Sequence, residues 1–436
     1  LEQKKQKILI ITYYWPPSGG SGVQRWIKFA KYLPACNWEP IILTVDPSKA
    51  SYFLVDESLI NSVANNVTVI RTKSFEPMRL FAKIIGKKNM PHSGFSNVNK
   101  SSKLQTIFRF IRGNLFVTDP RKGWNKYAEK AALQIIDKYN IQHVVTTSPP
   151  HSSQLIGIQL KTKRNINWIA DLRDPWTDIF YYNQLMKIDF LKRKEAKIEK
   201  RVINEADIVL TVSKGLKTIF AAKSEHPDNI HIIENGFDTD DIGTIDPNFN
   251  IQFKGKFNLL YVGIISDQYN MHGFFEAFEK ITKSYPHIHL NFVGVQDQYI
   301  HKIVAALNLQ AFVSFFEYVK KASLVNYYAQ SDMLVLAIPD TINNEGIVTG
   351  KIFEYLSYKK PIIGVGPTKG NAAEILENVS AGKMFDYTDV NGLTEMLRQG
   401  VDKTTQFTYE GIVKYTRKNL TQKLVATIET LKNRPL

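Results

Sequence analysis

Short β-rich runs alternate with helix-length stretches along the whole chain, and the alternation starts afresh near its middle. In the first half the runs are Lys7–Tyr14, Glu39–Val45, Val67–Arg71, His143–Thr147, Asn167–Asp171 and Ile208–Val212. Phe257–Val262, Ile288–Val293, Val313–Phe316, Met333–Ala337 and Pro361–Gly364 follow in the second. A strand, a helix and a further strand make the βαβ unit of a parallel sheet, so the pattern predicts an α/β protein with two sheets. The length of 436 residues agrees, because a single hydrophobic core stops growing well below it.

Between the halves stands His231-Ile-Ile-Glu-Asn-Gly-Phe-Asp238, followed by the polar stretch Thr239–Asn250. The domain boundary and a hinge are expected here, giving an N-terminal domain over 1–236 and a C-terminal domain over 237–414. The terminal stretch reads helical, with Ile412, Tyr415, Leu420, Leu424 and Ile428 recurring.

Charge divides the halves more sharply than hydropathy does. Residues 1–236 carry 36 Lys and Arg against 20 Asp and Glu, whereas the remainder carries 20 against 21. A basic half beside a neutral one points to a polyanion: nucleic acid, an anionic membrane surface or a phosphate-linked substrate. No nucleic-acid-binding module is recognisable, so nucleic acid is not expected as a partner. The single cysteine, Cys36, can form no internal disulfide, and no Cys/His cluster has metal-ligand spacing, so a reducing, cytoplasmic setting without a metal is expected. The apolar run Ile8–Trp15 ends in Pro16-Pro17, far short of a membrane span, and reads as a buried strand. In Ser102–Val117 the residues Leu104, Ile107, Phe108, Ile111 and Leu115 share one helical face, with Lys103, Arg109 and Arg112 off it. Such a helix either lies in a membrane interface or packs on its own domain.

Four motifs carry chemistry. The first strand runs into Tyr13-Tyr-Trp-Pro-Pro-Ser-Gly-Gly-Ser-Gly-Val-Gln-Arg25. Glycines at 19, 20 and 22 before a helix let backbone N–H groups approach an anion, although a tight turn alone would also use them. After the run ending at Thr147 comes Ser148-Pro-Pro-His-Ser-Ser153, which puts His151 at the carboxyl end of a parallel strand, where α/β sheets bind ligands. Ile169-Ala-Asp-Leu-Arg-Asp-Pro-Trp-Thr177 gathers Asp171, Arg173 and Asp174 beside Trp176. Carboxylates next to an aromatic face suit a sugar; an internal Arg–Asp pair shaping the loop would use the same residues. The fourth, Ile338 to Gly364, reads as strand, polar glycine-containing loop, helix and strand, with the helix start aimed at whatever the sheet edge binds.

The joint order of these motifs resembles the retaining family 4 glycosyltransferases, over nearly the whole chain. That resemblance implies the GT-B architecture, two Rossmann-like domains facing each other across a cleft, with the terminal helix, about 415–436, packing back on the N-terminal domain. Pro-Pro-x-x-Gly-Gly is similar to the family's N-terminal loop beside the donor pyrophosphate, and Ala-Asp-x-Arg-Asp-Pro-Trp to a string of one branch. Thr211-Val-Ser213 and Asn235-Gly-Phe-Asp238 fit the same pattern. Glu354 matches the family's second glutamate, which binds the nucleotide ribose. Glu345 is the nearest match to the first, but eight residues separate the two where the family has seven, and Gly346 takes the standard place; backbone N–H groups of Gly346, Ile347 and Val348 are candidates to replace it. The family places an Arg and a Lys after the first strand of the C-terminal domain, near Gly263. Here Ile264 and His272 stand there, so the cationic work is assigned to Lys351, three residues before Glu354 on a neighbouring face of the helix.

The resemblance thus implies a glycosyltransferase with retention of configuration, no cofactor and no obligatory metal. Its substrates are a nucleoside diphosphate sugar and a sugar or lipid-linked glycan acceptor, with an anionic membrane surface as a further partner. His151, Asp171, Arg173 and Asp174 are the acceptor-side and catalytic candidates; Gly19, Gly20, Gly22, Gly263, Glu345, Gly346, Ile347, Val348, Lys351 and Glu354 are the donor-side ones. Two readings compete: a nucleotide-sugar epimerase of the same fold, and a nonenzymatic polyanion-binding protein.

Overall fold

A computed structural model describes residues 5–76, 110, 113–180, 182–294 and 297–433. The chain forms two compact units, the first from residues 1–234 and 417–436 and the second from 235–416.

The first unit is built on a seven-stranded sheet: β1 (Gln6–Ile11), β2 (Trp38–Val45), β3 (Thr68–Thr72), β4 (His143–Ser148), β5 (Asn167–Leu172), β6 (Ile208–Thr211) and β7 (Ile230–Ile232). Their order is β3-β2-β1-β4-β5-β6-β7, and every pairing is parallel. Helices cover both faces, so β1 is apolar at consecutive positions. Ile8 and Ile10 pack with the helices Ser21–Tyr32 and Arg417–Glu429, while Leu9 and Ile11 face the helices Asn125–Tyr139 and Gln154–Lys163. The terminal helix places Leu420, Leu424 and Ile428 in the first of these cores.

The second unit holds a six-stranded parallel sheet, β8 (Phe257–Val262), β9 (Ile288–Val293), β10 (Val313–Phe316), β11 (Met333–Ala337), β12 (Ile362–Val365) and β13 (Gly382–Phe385), in the order β10-β9-β8-β11-β12-β13. Leu259 and Tyr261 serve one core and Leu260 the other, again because both faces are covered. The sheet order reverses between β1 and β4 in the first unit and between β8 and β11 in the second, and such reversals open a crevice at the carboxyl ends of the strands.

Two strands go beyond the sequence reading, β7 and β13. The stretch opening at His231, read as a boundary, begins as the edge strand β7, and the polar residues after it are not a bare linker. Phe249, Ile251 and Phe253 pack against the second unit's core, and Asn326 accepts a hydrogen bond from the Asp246 amide at 2.8 Å. Most of the amphipathic stretch Ser102–Val117 lies outside the described residues. Among the described residues, no helix is long and apolar enough to cross a membrane.

Gly157 shows how tightly the first sheet is packed: the helix Gln154–Lys163 lies so close to β5 that a Cβ there would overlap the Trp168 indole. Gly157→Ala is expected to destabilise the protein by about 1–3 kcal/mol through overpacking, read as a lower urea midpoint with an unchanged slope.

Candidate functional site

At the carboxyl edge of the first sheet, the loops after β1, β4 and β5 are fastened by a buried carboxylate. Asp171, the fifth residue of β5, has no exposed surface. It accepts from Trp26 Nε1 at 2.8 Å, Thr147 Oγ1 at 2.7 Å and an Arg25 guanidinium nitrogen at 3.1 Å. Arg25, itself buried, also donates to the carbonyls of Ile233 at 2.8 Å and Glu234 at 2.9 Å, where the chain leaves this unit. Burial pulls the Arg25 guanidinium downward, and the Asp171 charge opposes that pull. Every donor around Asp171 comes from the protein, so its contribution to the site is positional.

Arg173 joins the same three loops from β5, donating to Ser148 O at 2.9 Å and Gly22 O at 2.7 Å. Gly19 packs where a Cβ would press on Leu54, and Gly20, with φ +96°, ends the turn in a conformation that side chains rarely adopt. No side chain caps the helix that starts at Ser21.

Asp119 shapes the loop after β4 by accepting from Ser152 N at 2.7 Å and Ser152 Oγ at 2.9 Å. The His151 ring then lies flat on the Trp176 indole, centroids 4.7 Å apart and planes 10° from parallel. Burial, reinforced by Lys187 and Arg173, depresses His151 to about 3, so the imidazole is neutral in the physiological range. Its buried Nδ1 has no partner among the described residues. Asp174 is half-buried and makes no hydrogen bond or ion pair with described residues; burial raises its carboxyl. The first edge therefore presents a neutral imidazole and a desolvated carboxyl on a fixed frame.

Toward β2 and β3 the same edge carries a polar node absent from the motif reading. The Tyr13 hydroxyl donates to Glu76 and accepts from Ser51 N at 2.9 Å, and one oxygen of the buried Glu76 has no partner among the described residues.

In the second unit the site is a turn and a helix start. β8 is followed by Gly263, with φ +117°, where a Cβ would come within 2.6 Å of Lys351 Cε. Glycine is needed there because the lysine stem crosses the turn. Lys351, in the helix Gly350–Ser357, donates from Nζ to Tyr261 Oη at 2.8 Å, and the Tyr261 hydroxyl donates its own proton to Ile264 O at 2.9 Å. One phenol thus couples the ammonium to the turn. Burial lowers Lys351 to about 8, and Glu354 partly counteracts it. Tyr355 ties the same helix to β8 by accepting from Val262 N at 3.0 Å.

One turn along, Glu354 accepts from the Tyr328 hydroxyl at 3.1 Å. Burial raises its carboxyl, against Lys321, Tyr328 and Lys351, which favour the charged form. Lys321 pairs with Asp241 at 3.0 Å. Thr349 stands at the N-cap of the helix without capping it, and its buried hydroxyl has no partner among the described residues. The amides of Gly346 and Ile347 close a turn onto the carbonyls of Asn343 and Asn344, which leaves Val348 as the member of that trio with an uncommitted N–H. Glu345 points to solvent on this turn. Ile264 and His272 are also exposed. Gly263, Lys351 and Glu354 are therefore brought together, while Glu345 lies exposed on the turn before the helix. Tyr261 and Tyr328 carried no motif; only their tertiary contacts single them out.

Two family models match the chain. Residues 245–418 match the one described as glycosyl transferases group 1, and residues 95–241 the one described as glycosyltransferase family 4. No protein of curated function matches the sequence. Among solved structures, sucrose-phosphate synthase from Thermosynechococcus elongatus is similar with a TM-score of 0.63 at 15% identity, over 98% of this chain and 99% of that one. A glycosyltransferase from Rickettsia africae gives 0.59 at 18% identity, over 99% and 100%. HepE from Anabaena, solved in complex with UDP-glucose, gives 0.60 at 13% identity, over 97% and 99%. At such identities the likeness is one of fold.

Removing the carboxylate at the first edge would leave the Arg25 charge buried without its partner. Asp171→Ala is expected to lower stability by about 3–5 kcal/mol in urea unfolding, and loss of less than about 1 kcal/mol would show that the pair does not hold the loops.

Proposed function

Because the chain belongs to the family 4 glycosyltransferases and has the GT-B fold, we propose that it moves a sugar from a nucleoside diphosphate sugar to an acceptor hydroxyl with retention of configuration. The observation that carries the donor assignment is the convergence of Lys351, the Gly263 turn and an uncapped helix start. An ammonium, unpaired amides and the positive end of a helix are what a pyrophosphate requires. Glu354 lies one turn farther along the helix, at the reach of a ribose whose hydroxyls donate to its carboxylate. The UDP-glucose held by HepE, a protein of the same fold, supports this donor class.

In the reaction, the bond from the anomeric carbon to the diphosphate oxygen breaks as the acceptor oxygen attacks the same face. The departing phosphate takes the acceptor proton, so no protein nucleophile is needed. Negative charge growing on the diphosphate is met by the Lys351 ammonium and backbone N–H groups, fixed in place before the reaction, without a cofactor or metal. Tyr261 orients the ammonium. On the acceptor side, the neutral His151 imidazole accepts from or donates to a sugar hydroxyl, and Asp174 accepts from another. Asp171, Arg25 and Arg173 hold these two in register. Gly19, Gly20 and Gly22 let the backbone approach the substrates. The basic first half suits an acceptor carried on a phosphate-linked lipid, as in envelope or surface glycan assembly at the cytoplasmic face of a membrane.

Donor binding should fall as pH rises through about 8, because the Lys351 ammonium loses its proton there. Calorimetric titration of UDP-glucose and other sugar nucleotides from about pH 7 to about pH 9.5 should show this limb in the parent and not in Lys351→Met. Glu354→Ala should weaken donor binding roughly 10- to 100-fold, as expected for a lost hydrogen bond to a charged group. Full donor affinity in both variants would overturn the assignment. So would isomerised nucleotide sugar formed without an acceptor.

A further inference from the structure

The backbone at His151 is fixed, but nothing in its own turn fixes the ring. Ser152 is tied to Asp119 through its amide and hydroxyl, and the Asn125 side chain donates to Ser152 O at 2.7 Å. Neither imidazole nitrogen hydrogen-bonds to a described residue. The plane of the ring is therefore set by the surface it rests on, the Trp176 indole.

That indole is held in turn. Its Nε1 donates at 3.0 Å to Glu195 of the helix Asp189–Glu205, and the residue, 2% exposed, belongs to the core that holds Val202 and Ile203. With a face under His151 and almost no open surface, Trp176 is not the platform for a sugar that its place in the sequence suggests. Glu195 is also buried and takes two further donors, the Tyr182 hydroxyl at 2.7 Å and the Lys187 ammonium. One turn along the helix, Glu199 accepts from Thr177 Oγ1 and pairs with Lys223 at 2.8 Å, while Lys223 also pairs with Asp178. Two inward carboxylates at i and i+4 thus grip three consecutive residues of the loop after β5. Stability does not call for this arrangement, because a buried ion pair gains little over apolar residues of similar volume. What an apolar side chain could not supply is an oxygen aimed at the indole N–H.

We propose that Glu195 is a positioning residue for the acceptor side of the site: its carboxylate fixes the Trp176 indole, and the indole fixes the plane in which the His151 imidazole meets an acceptor hydroxyl. The proposal rests on the acceptor role given to His151 above. A ring free to turn would have to be ordered each time an acceptor bound, at a cost in side-chain entropy. Held flat on the indole, it offers an edge already aimed.

Two paired variants separate positioning from packing. Lys187→Met/Glu195→Gln and Lys187→Met/Glu195→Leu both remove the buried ion pair, but only the first keeps an oxygen for the indole N–H. The chain has nine histidines, so their imidazole C–H signals can be followed by NMR, with His151 identified by its loss in His151→Gln. In the parent the His151 signals are expected upfield, shielded by the indole face. This shift should persist in the Gln pair and collapse in the Leu pair, with urea unfolding showing both pairs folded. With octyl β-glucoside as acceptor and a sugar nucleotide that the parent binds, the Leu pair should raise the acceptor KM at least roughly tenfold with kcat little changed. The Gln pair should recover most of that loss, and Trp176→Phe, which has a ring but no N–H, should raise the acceptor KM as the Leu pair does. Unshifted His151 signals in the parent, a shift that survives in the folded Leu pair, or an unchanged acceptor KM in both the Leu pair and Trp176→Phe would overturn the proposal. Absence of any transfer by the parent would count instead against the glycosyl-transfer reading, and the NMR comparison would still decide whether Glu195 sets the ring.

Discussion

Every strand in both sheets is parallel, and that single constraint governs where chemistry can occur in this protein. Parallel strands need a crossover after each strand, and the crossovers cover both faces with helices, so the sheets are dry throughout. Polar side chains that must meet a ligand are then confined to the loops at the carboxyl edge. The polar candidates His151 and Asp174 lie on such loops and Lys351 on the helix that follows one. The residues that remain polar inside, such as Asp171 and Arg25, are those that hold the loops in place.

The two edges solve this differently. In the first unit an ion pair with almost no exposure anchors three loops and the end of the domain, leaving a neutral imidazole stacked on an indole. Isolated, either charge would be costly to bury; with Trp26, Thr147 and two backbone carbonyls completing the set, it becomes a rigid strut. In the second unit one half-buried lysine lies against tyrosines, with a phenol oxygen as its hydrogen-bond acceptor. Its surroundings desolvate the charge, and on the proposed donor reading that is the condition under which an ammonium interacts most strongly with an incoming phosphate.

On the proposed donor reading, Lys351 makes up for what the turn after β8 lacks. The turn after β8 lacks basic residues of its own, with Ile264 and His272 at the relevant places. The amine instead reaches that turn from the helix after β11, close enough to exclude any side chain at Gly263. Strands β8 and β11 are neighbours in the sheet although 70 residues of chain intervene between Val262 and Met333. On that reading a cation has changed its place in the sequence while serving the same point in space.

Read alone, the sequence determined the α/β class, the parallel strands of both halves, and the motif loops at their ends, because apolar periodicity, glycine and proline act locally. β8 to β11, the edge strand β10 among them, were legible to the residue, since each is a short run dominated by apolar and aromatic residues. β7 and β13 were not, because an edge strand is short and needs fewer apolar residues: Gly382-Lys-Met-Phe385 has two. Tertiary structure alone decided which polar residues face inward and which outward. Asp171 reads like a ligand-binding carboxylate until Arg25 arrives from 146 positions away, and Tyr261 gains its role only when Lys351 folds onto it from 90 away. Hydrogen bonds and ion pairs of that span are set by where the packed sheets place their ends, which no local pattern encodes.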